Sequence, residues 1–476
     1  MYLAHAFGQR YELPIPLLLF VLGGAAVVLA SFLLVFRSAV ARREEHPPPD
    51  ETHLQTLRPV WAAISILMLA LLVAAGFVGS QEVPENILPT VFWVVVWVAV
   101  PLSCGVLGDW TQAVNPFANL AKVADSPRIR KALLGSPEPV VWPRWLGWWP
   151  AAALYFLAGL AELVFNLTWT VPRNIALALL LYAVYCLFGG LIFGRAFVQR
   201  GEMFSAAFAT WGRLGYLRFG APGRRGFAAG LEVPFEPTVS RIAFVLLLLV
   251  SVNFDGLLST PRWNTFERKV QSSIGAAADR LEVFRTLTFL ILLLVIAGLF
   301  GMFALAASRA GRDGARFRGA LAGLLPSVLP IAFGYLLAHY VQYLLVNTQL
   351  LFPLVGNPIG KESWPLHLPF PFNDTYEVHP HFLPTAFYWY IAVFVIIAVH
   401  VMAVVLAHRH LARAGRSVER ARASEYRWLV AMVGYTMLSL WLLAQPLVRE
   451  APKPAPKPAA TAATAATLAA ARPAAR

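Results

Sequence analysis

Residues 60–79 read VWAAISILMLALLVAAGFVG, twenty positions without a charged side chain and with Ser65 as the one hydroxyl. At 1.5 Å of rise per residue a helix of that length crosses the roughly 30 Å hydrocarbon core of a bilayer. Working outward, comparable apolar stretches lie near 15–36, 88–107, 148–166, 174–193 and 239–258, and again near 284–307, 324–346, 385–407 and 426–446. The pattern predicts an all-α, polytopic integral membrane protein of ten transmembrane helices.

The connections give a direction. Short cytoplasmic loops are enriched in Lys and Arg. The loops after the odd-numbered segments carry 4, 5, 6, 4 and 5 such residues, and those after the even-numbered segments carry 0, 1, 4 and 1. The alternation predicts both termini outside, which in a bacterial inner (cytoplasmic) membrane means periplasmic. Only the sixth loop, 259–283, blurs it. The first segment reads as a retained N-out helix, not a cleaved signal, because Arg37, Arg42 and Arg43 follow it and only Arg10 precedes it.

Composition agrees. Of 476 residues, 58% are hydrophobic and 13% charged, with a mean hydropathy of +0.62, so the main solvent is lipid. The net charge of +14 sits between apolar segments as topology signals, without the basic and aromatic interleaving of a nucleic-acid surface, and no nucleic-acid partner is expected. Residues 1–450 form a single transmembrane domain, 347–384 a long extracytoplasmic loop within it, and 451–476 a disordered Ala/Pro-rich tail. Cys104 and Cys186 both fall in apolar stretches, which leaves no disulfide framework and no CxxC metal knuckle. No Walker A, GxGxxG, HExxH or G-x-S-x-G motif occurs.

Ionisable residues inside a span are costly, and each is a candidate for function. Glu162 and Asn166, four apart, fall near the outer end of the fourth segment, and Asn253 and Asp255 near the outer end of the sixth. His339, Gln342 and Tyr343 form a stripe in the outer half of the eighth. Three segments thus present polar groups at one depth. The loop 347–384 adds Glu377-Val-His379-Pro-His381, whose alternation on an extended path puts three ligand-type side chains on one side. His and carboxylate donors suit zinc, cobalt or manganese, so Glu377, His379 and His381 are the candidate metal ligands. The plainer reading makes them interface residues of a Pro-rich loop. His400, His408 and His410 are expected to be structural, His5 is a further external imidazole, and Trp142, Trp145, Trp148 and Trp149 read as an interfacial belt.

The opening Leu3-Ala4-His5-Ala6-Phe7-Gly8 with Glu12-Leu13-Pro14-Ile15-Pro16, the Asp109-Trp110 through Asn115-Pro116-Phe117 stretch, and His400, His408, Arg409, Tyr435-Thr436 and Leu440-Trp441-Leu442-Leu443 resemble bacterial multi-pass membrane proteins known as fenitrothion hydrolases. The resemblance runs discontinuously from end to end and touches scaffold, with no catalytic motif to carry over. It implies hydrolysis of an apolar organophosphorus triester, a phosphoric triester hydrolase activity. On that reading the work would be done at the outer membrane face, with Glu162 and His339 as catalytic groups and a divalent metal on the loop triad. Two other readings stand beside it: a transporter or permease in which Glu162, Asp255 and His339 exchange protons, and a noncatalytic membrane subunit of a multi-component metalloenzyme, working with a second membrane subunit.

Overall fold

The computed structural model describes residues 17–35, 56–217, 226–274, 278–380, 382–414 and 417–444. Among them there is no β-strand. Ten longer helices follow one another: α1 (Leu17–Val35), α2 (Pro59–Val78), α3 (Ile87–Leu107), α4 (Trp149–Leu163), α5 (Pro172–Phe193), α6 (Val239–Leu258), α7 (Ala278–Gly311), α8 (Phe317–Asn347), α9 (Thr385–Ala414) and α10 (Val418–Ala444). Seven stretches, within α2, α3 and α5 to α9, are long and apolar enough to cross a bilayer. The apolar core of α1 and the whole of α4 are shorter. The chain is an all-helical membrane protein. Its solvent is visible on the outer helices: Leu67 and Leu71 of α2, Leu181 of α5, and Ile291 and Leu294 of α7 are all exposed, a surface that water would not tolerate.

Local chemistry sets the helix ends. Proline at the first position of α2 and of α5 removes an amide that would have no partner there. Asn86 starts α3 by accepting from the Leu88 amide at 3.0 Å, while its own amide group donates to the carbonyls of Ala75 and Ser80, which closes the α2–α3 hairpin. Helices α7 to α10 extend beyond the apolar stretches that announced them, by turns bearing Arg, Glu and Asp. Hydropathy sees the part of a helix in lipid and misses the charged turns that stand in water.

The bundle is built around α8, whose best apolar window is 94% buried against 22% for α2. It packs on α3, α6, α7 and α9. Two glycines permit this: a Cβ on Gly105 of α3 would meet the Phe333 ring of α8 at 2.1 Å, and one on Gly334 of α8 would meet Val399 of α9 at 2.4 Å. Pro326 and Pro330 stand inside α8. Helix α3 winds as a π-helix over Thr90–Ala99, a rare geometry found preferentially at functional sites.

Several expectations change here. The segment 347–384 is not loop throughout, because α8 continues through a 3-10 turn, Thr348–Leu350, into a short helix, Leu351–Gly356. Asn166 does not share a helix with Glu162: α4 ends at Leu163 and Asn166 opens a separate four-residue helix. The tryptophan belt divides. Trp145 and Trp149 are exposed, but Trp142 and Trp148 are buried, Trp148 donating to Glu236 at 3.0 Å with the Arg241 guanidinium 3.9 Å above its ring. Of the basic residues of the sixth loop, Arg262 lies over the Trp441 ring, while the loop's Glu267 accepts from Arg285 of α7 at 2.9 Å. The tail 451–476 and His5 lie outside the described residues.

A candidate proton relay between the helices

Helices α3, α4, α6 and α8 bring five side chains into one hydrogen-bonded chain. The Trp97 indole on α3 donates to Glu162 Oε2 on α4 at 2.6 Å. The Tyr340 hydroxyl on α8 stands 2.8 Å from Glu162 Oε1 and 2.8 Å from Asp255 Oδ2 on α6. His339, also on α8, places Nε2 2.8 Å from the same Asp255 oxygen. Asp255, His339 and Tyr340 are buried, and Glu162 is half-buried. Of the groups that the sequence placed at one depth, Glu162, Asp255 and His339 are therefore linked.

Helix geometry explains the convergence. Successive residues on an α-helix point about 100° apart, so His339 and Tyr340 leave α8 in different directions, and Asp255 enters between them. Tyr340 reaches past Asp255 to α4. Trp97 is steadied by stacking on Tyr155, with ring centroids 5.2 Å apart and planes at 23°.

Counting protons shows what the chain can do. An indole N–H donates only, so Oε2 of Glu162 acts as an acceptor there, and a proton on that carboxyl belongs on Oε1, facing Tyr340. A phenol has one proton to give. Tyr340 can satisfy one carboxylate by donating, and the second 2.8 Å contact is a hydrogen bond only if the other carboxyl carries a proton and donates to the phenol oxygen. Two arrangements meet that condition. Either Glu162 is protonated and Tyr340 donates to Asp255, or Asp255 is protonated and Tyr340 donates to Glu162. They differ by the shift of one proton along each of two short bonds, which is the elementary act of a proton relay.

The other sequence candidates stay apart from this chain. Glu377 and His379 are exposed on the segment after Gly356, and Tyr376 and Val378 pack inward, so the alternation is real. Gln349 fixes this stretch through its backbone, accepting from the His379 amide at 3.0 Å and donating to its carbonyl at 3.3 Å. His381 lies outside the described residues, and no group of three His, Cys, Asp or Glu able to hold a metal forms among those described. Gln342 and Tyr343, read as continuing the His339 stripe, do not enter the chain of bonds; the Tyr343 ring packs on Tyr340. Asn253 turns instead to the Tyr435 hydroxyl of α10. His400 donates to the Ile396 carbonyl at 2.7 Å, and His408 lies 3.1 Å from Glu425.

No protein-family profile, curated protein or solved structure matches this chain.

Its chemistry is therefore read from its own residues. Sequence reasoning missed Trp97 and Tyr340, the two that make the constellation work. Both look like ordinary interfacial aromatics, and spacings of three and four from His339 select Gln342 and Tyr343, not the adjacent residue. Tyr340 had one signal: it follows directly a histidine in a span that also carries Tyr335 and Tyr343.

Proposed function

We propose that this chain is a proton-coupled transporter of a cytoplasmic membrane, crossing the bilayer ten times with both termini on the outer side, and that Glu162, Tyr340, Asp255 and His339 carry its proton in the outer half of the bundle. The observation that carries this is the Tyr340 oxygen, 2.8 Å from each of two carboxylates on different helices. Buried ionisable groups paired with one another inside a bundle are the usual substance of intramembrane proton paths. The π-helical part of α3 and the prolines of α8 are of a kind with the irregular helices that line transport sites.

The triester hydrolase reading is supported less well at this point in the fold. An aryl phosphate would need room beside Glu162, and the cavity there, about 20 Å³ as space open to the centre of a water, accommodates about one water molecule. A proton is small enough to use it.

The test is purified full-length protein in liposomes loaded with a pH-sensitive dye, with an imposed membrane potential driving protons inward. Flux is expected from the wild type and a loss of at least tenfold from Glu162→Gln, Asp255→Asn and Tyr340→Phe. The same vesicles are given fenitrothion with and without a chelator. Chelator-sensitive release of the nitrophenol, with no proton flux from any variant or from the wild type, would overturn the proposal in favour of a metallohydrolase.

A further inference from the structure

The cavity beside Glu162 has a second wall that the relay does not use. Tyr155 lines it from α4, seven residues or about 10 Å of helix rise before Glu162, and Ser251 lines it from α6. Ser251 gives its own proton to the Leu248 carbonyl at 3.3 Å, which leaves the lone pairs of its oxygen to accept. A further wall is Phe204, Ala207, Phe208 and Trp211 of the short helix Met203–Trp211. That helix belongs to the basic stretch 194–238, which the charge alternation assigns to the cytoplasmic side, yet every one of these four side chains is buried against α3 and α4. A connection assigned to the cytoplasm reaches the floor of a cavity whose roof is the relay.

Size and chemistry agree on an occupant. A bound water needs about 10–15 Å³ of such space and two to four polar partners, and this cavity has about 20 Å³ with Glu162, Tyr155, Ser251 and Tyr340 among its lining residues. We infer that the cavity binds a single water molecule, held between Glu162 and Tyr155, and that this water is the inward end of the proton route. The inference rests on the relay reading of Glu162. Glu162 passes a proton to the water oxygen, its O–H bond breaking as the new one forms, and the hydronium so formed returns to neutrality by giving one proton to the oxygen of a second water entering from the cytoplasmic phase, which carries the charge away. Tyr155 and Ser251 are positioning residues that orient the water. Ala207, whose methyl group faces it, sets how much room it has.

Two variants test this, read in two ways on the full-length protein in lipid nanodiscs and liposomes. Ala207→Val adds two methyl groups to the cavity, and Tyr155→Phe keeps the ring stacked on Trp97 while removing the hydroxyl. The expected result is an ordered density peak within hydrogen-bonding distance of both Glu162 and Tyr155 in a high-resolution structure of the wild type. Its loss in Ala207→Val should accompany a fall in proton flux of at least tenfold in both variants. If Ala207→Val does not fold, the Tyr155→Phe flux and the wild-type density decide. No peak in the wild type, or wild-type flux in Tyr155→Phe, overturns the inference. A peak in a wild type that carries no protons would leave the bound water standing and sink the relay reading instead.

Discussion

Two buried carboxylate sites in this molecule are built on opposite rules. Glu202, fully buried before the helix Met203–Trp211, receives four donors. The Tyr182 hydroxyl at 2.6 Å and the Phe204 amide at 3.0 Å reach Oε1, while the Asn115 side chain at 2.8 Å and the Ser205 amide at 2.7 Å reach Oε2. All four partners are donors, two to each oxygen, and they hold the carboxyl group in one orientation. Glu162 and Asp255 share a single phenol between them. Where two donors meet each oxygen of a carboxyl, a structural cap results; where two carboxyls on different helices meet one hydroxyl, a proton has two homes. The comparison teaches that burial and charge do not by themselves distinguish a structural acid from a working one, and that the donor count does.

The largest effect should come from breaking the well-supplied site. Glu202→Ala orphans four donors, each costing roughly 1–3 kcal/mol when buried without a partner, and should leave little folded protein by size-exclusion and thermal melting in detergent. Tyr340→Phe should do the reverse. It removes one hydroxyl, costing about 1 kcal/mol of stability, yet proton flux should fall at least tenfold. A flux unchanged by Tyr340→Phe would remove the distinction between the two sites.

Glu162→Gln sharpens the comparison further, since its amide can donate to the Tyr340 oxygen as a protonated carboxyl does. Folding should change by less than about 1 kcal/mol while flux is lost, and a collapse in melting temperature would mean that Glu162 is a structural acid after all. At Asp109, Thr111 and Gln112 donate at 2.7 and 3.0 Å, yet burial holds the carboxyl above the ordinary carboxylate range. For an acid raised in the folded state, the unfolded chain ionises first. Stability should therefore fall as pH rises from about 4, and Asp109→Asn should flatten that slope in melting curves. The smallest effect is expected at His379, whose ring is exposed and whose backbone is held by Gln349. His379→Ala should alter stability by less than about 0.5 kcal/mol. A matching loss of bound metal would return the outer loop to consideration as a metal site.

Much of the fold was legible because hydropathy and helix rise measure the same thing. Each of the ten apolar stretches coincides with a helix, although among the described residues seven are long and apolar enough to stand as membrane spans by themselves. The short helix Met203–Trp211 was not foreseen, since nine residues are too few to register as a span and its stretch is flanked by arginines. Of the site, Glu162, Asp255 and His339 were legible as charges in lipid. What joins them was not, because contacts between α4, α6 and α8 depend on close approaches such as that of Gly256 on α6 to Tyr335 on α8, which no single helix encodes. The loop triad illustrates the converse. Spacing predicted that Glu377 and His379 would point the same way, and it carries no information about whether anything faces them.

Trp97 has one more consequence. A proton conductor needs insulation as much as it needs wire, and an indole nitrogen, which cannot accept a proton without ruining its ring, is an insulator. Sitting on Oε2 of Glu162, it seals one terminal of the carboxyl and leaves current only two ways to run: across Tyr340 toward Asp255 and His339, or out through whatever fills the space beside Tyr155. A histidine in its place would be a branch in the circuit, and the molecule would leak.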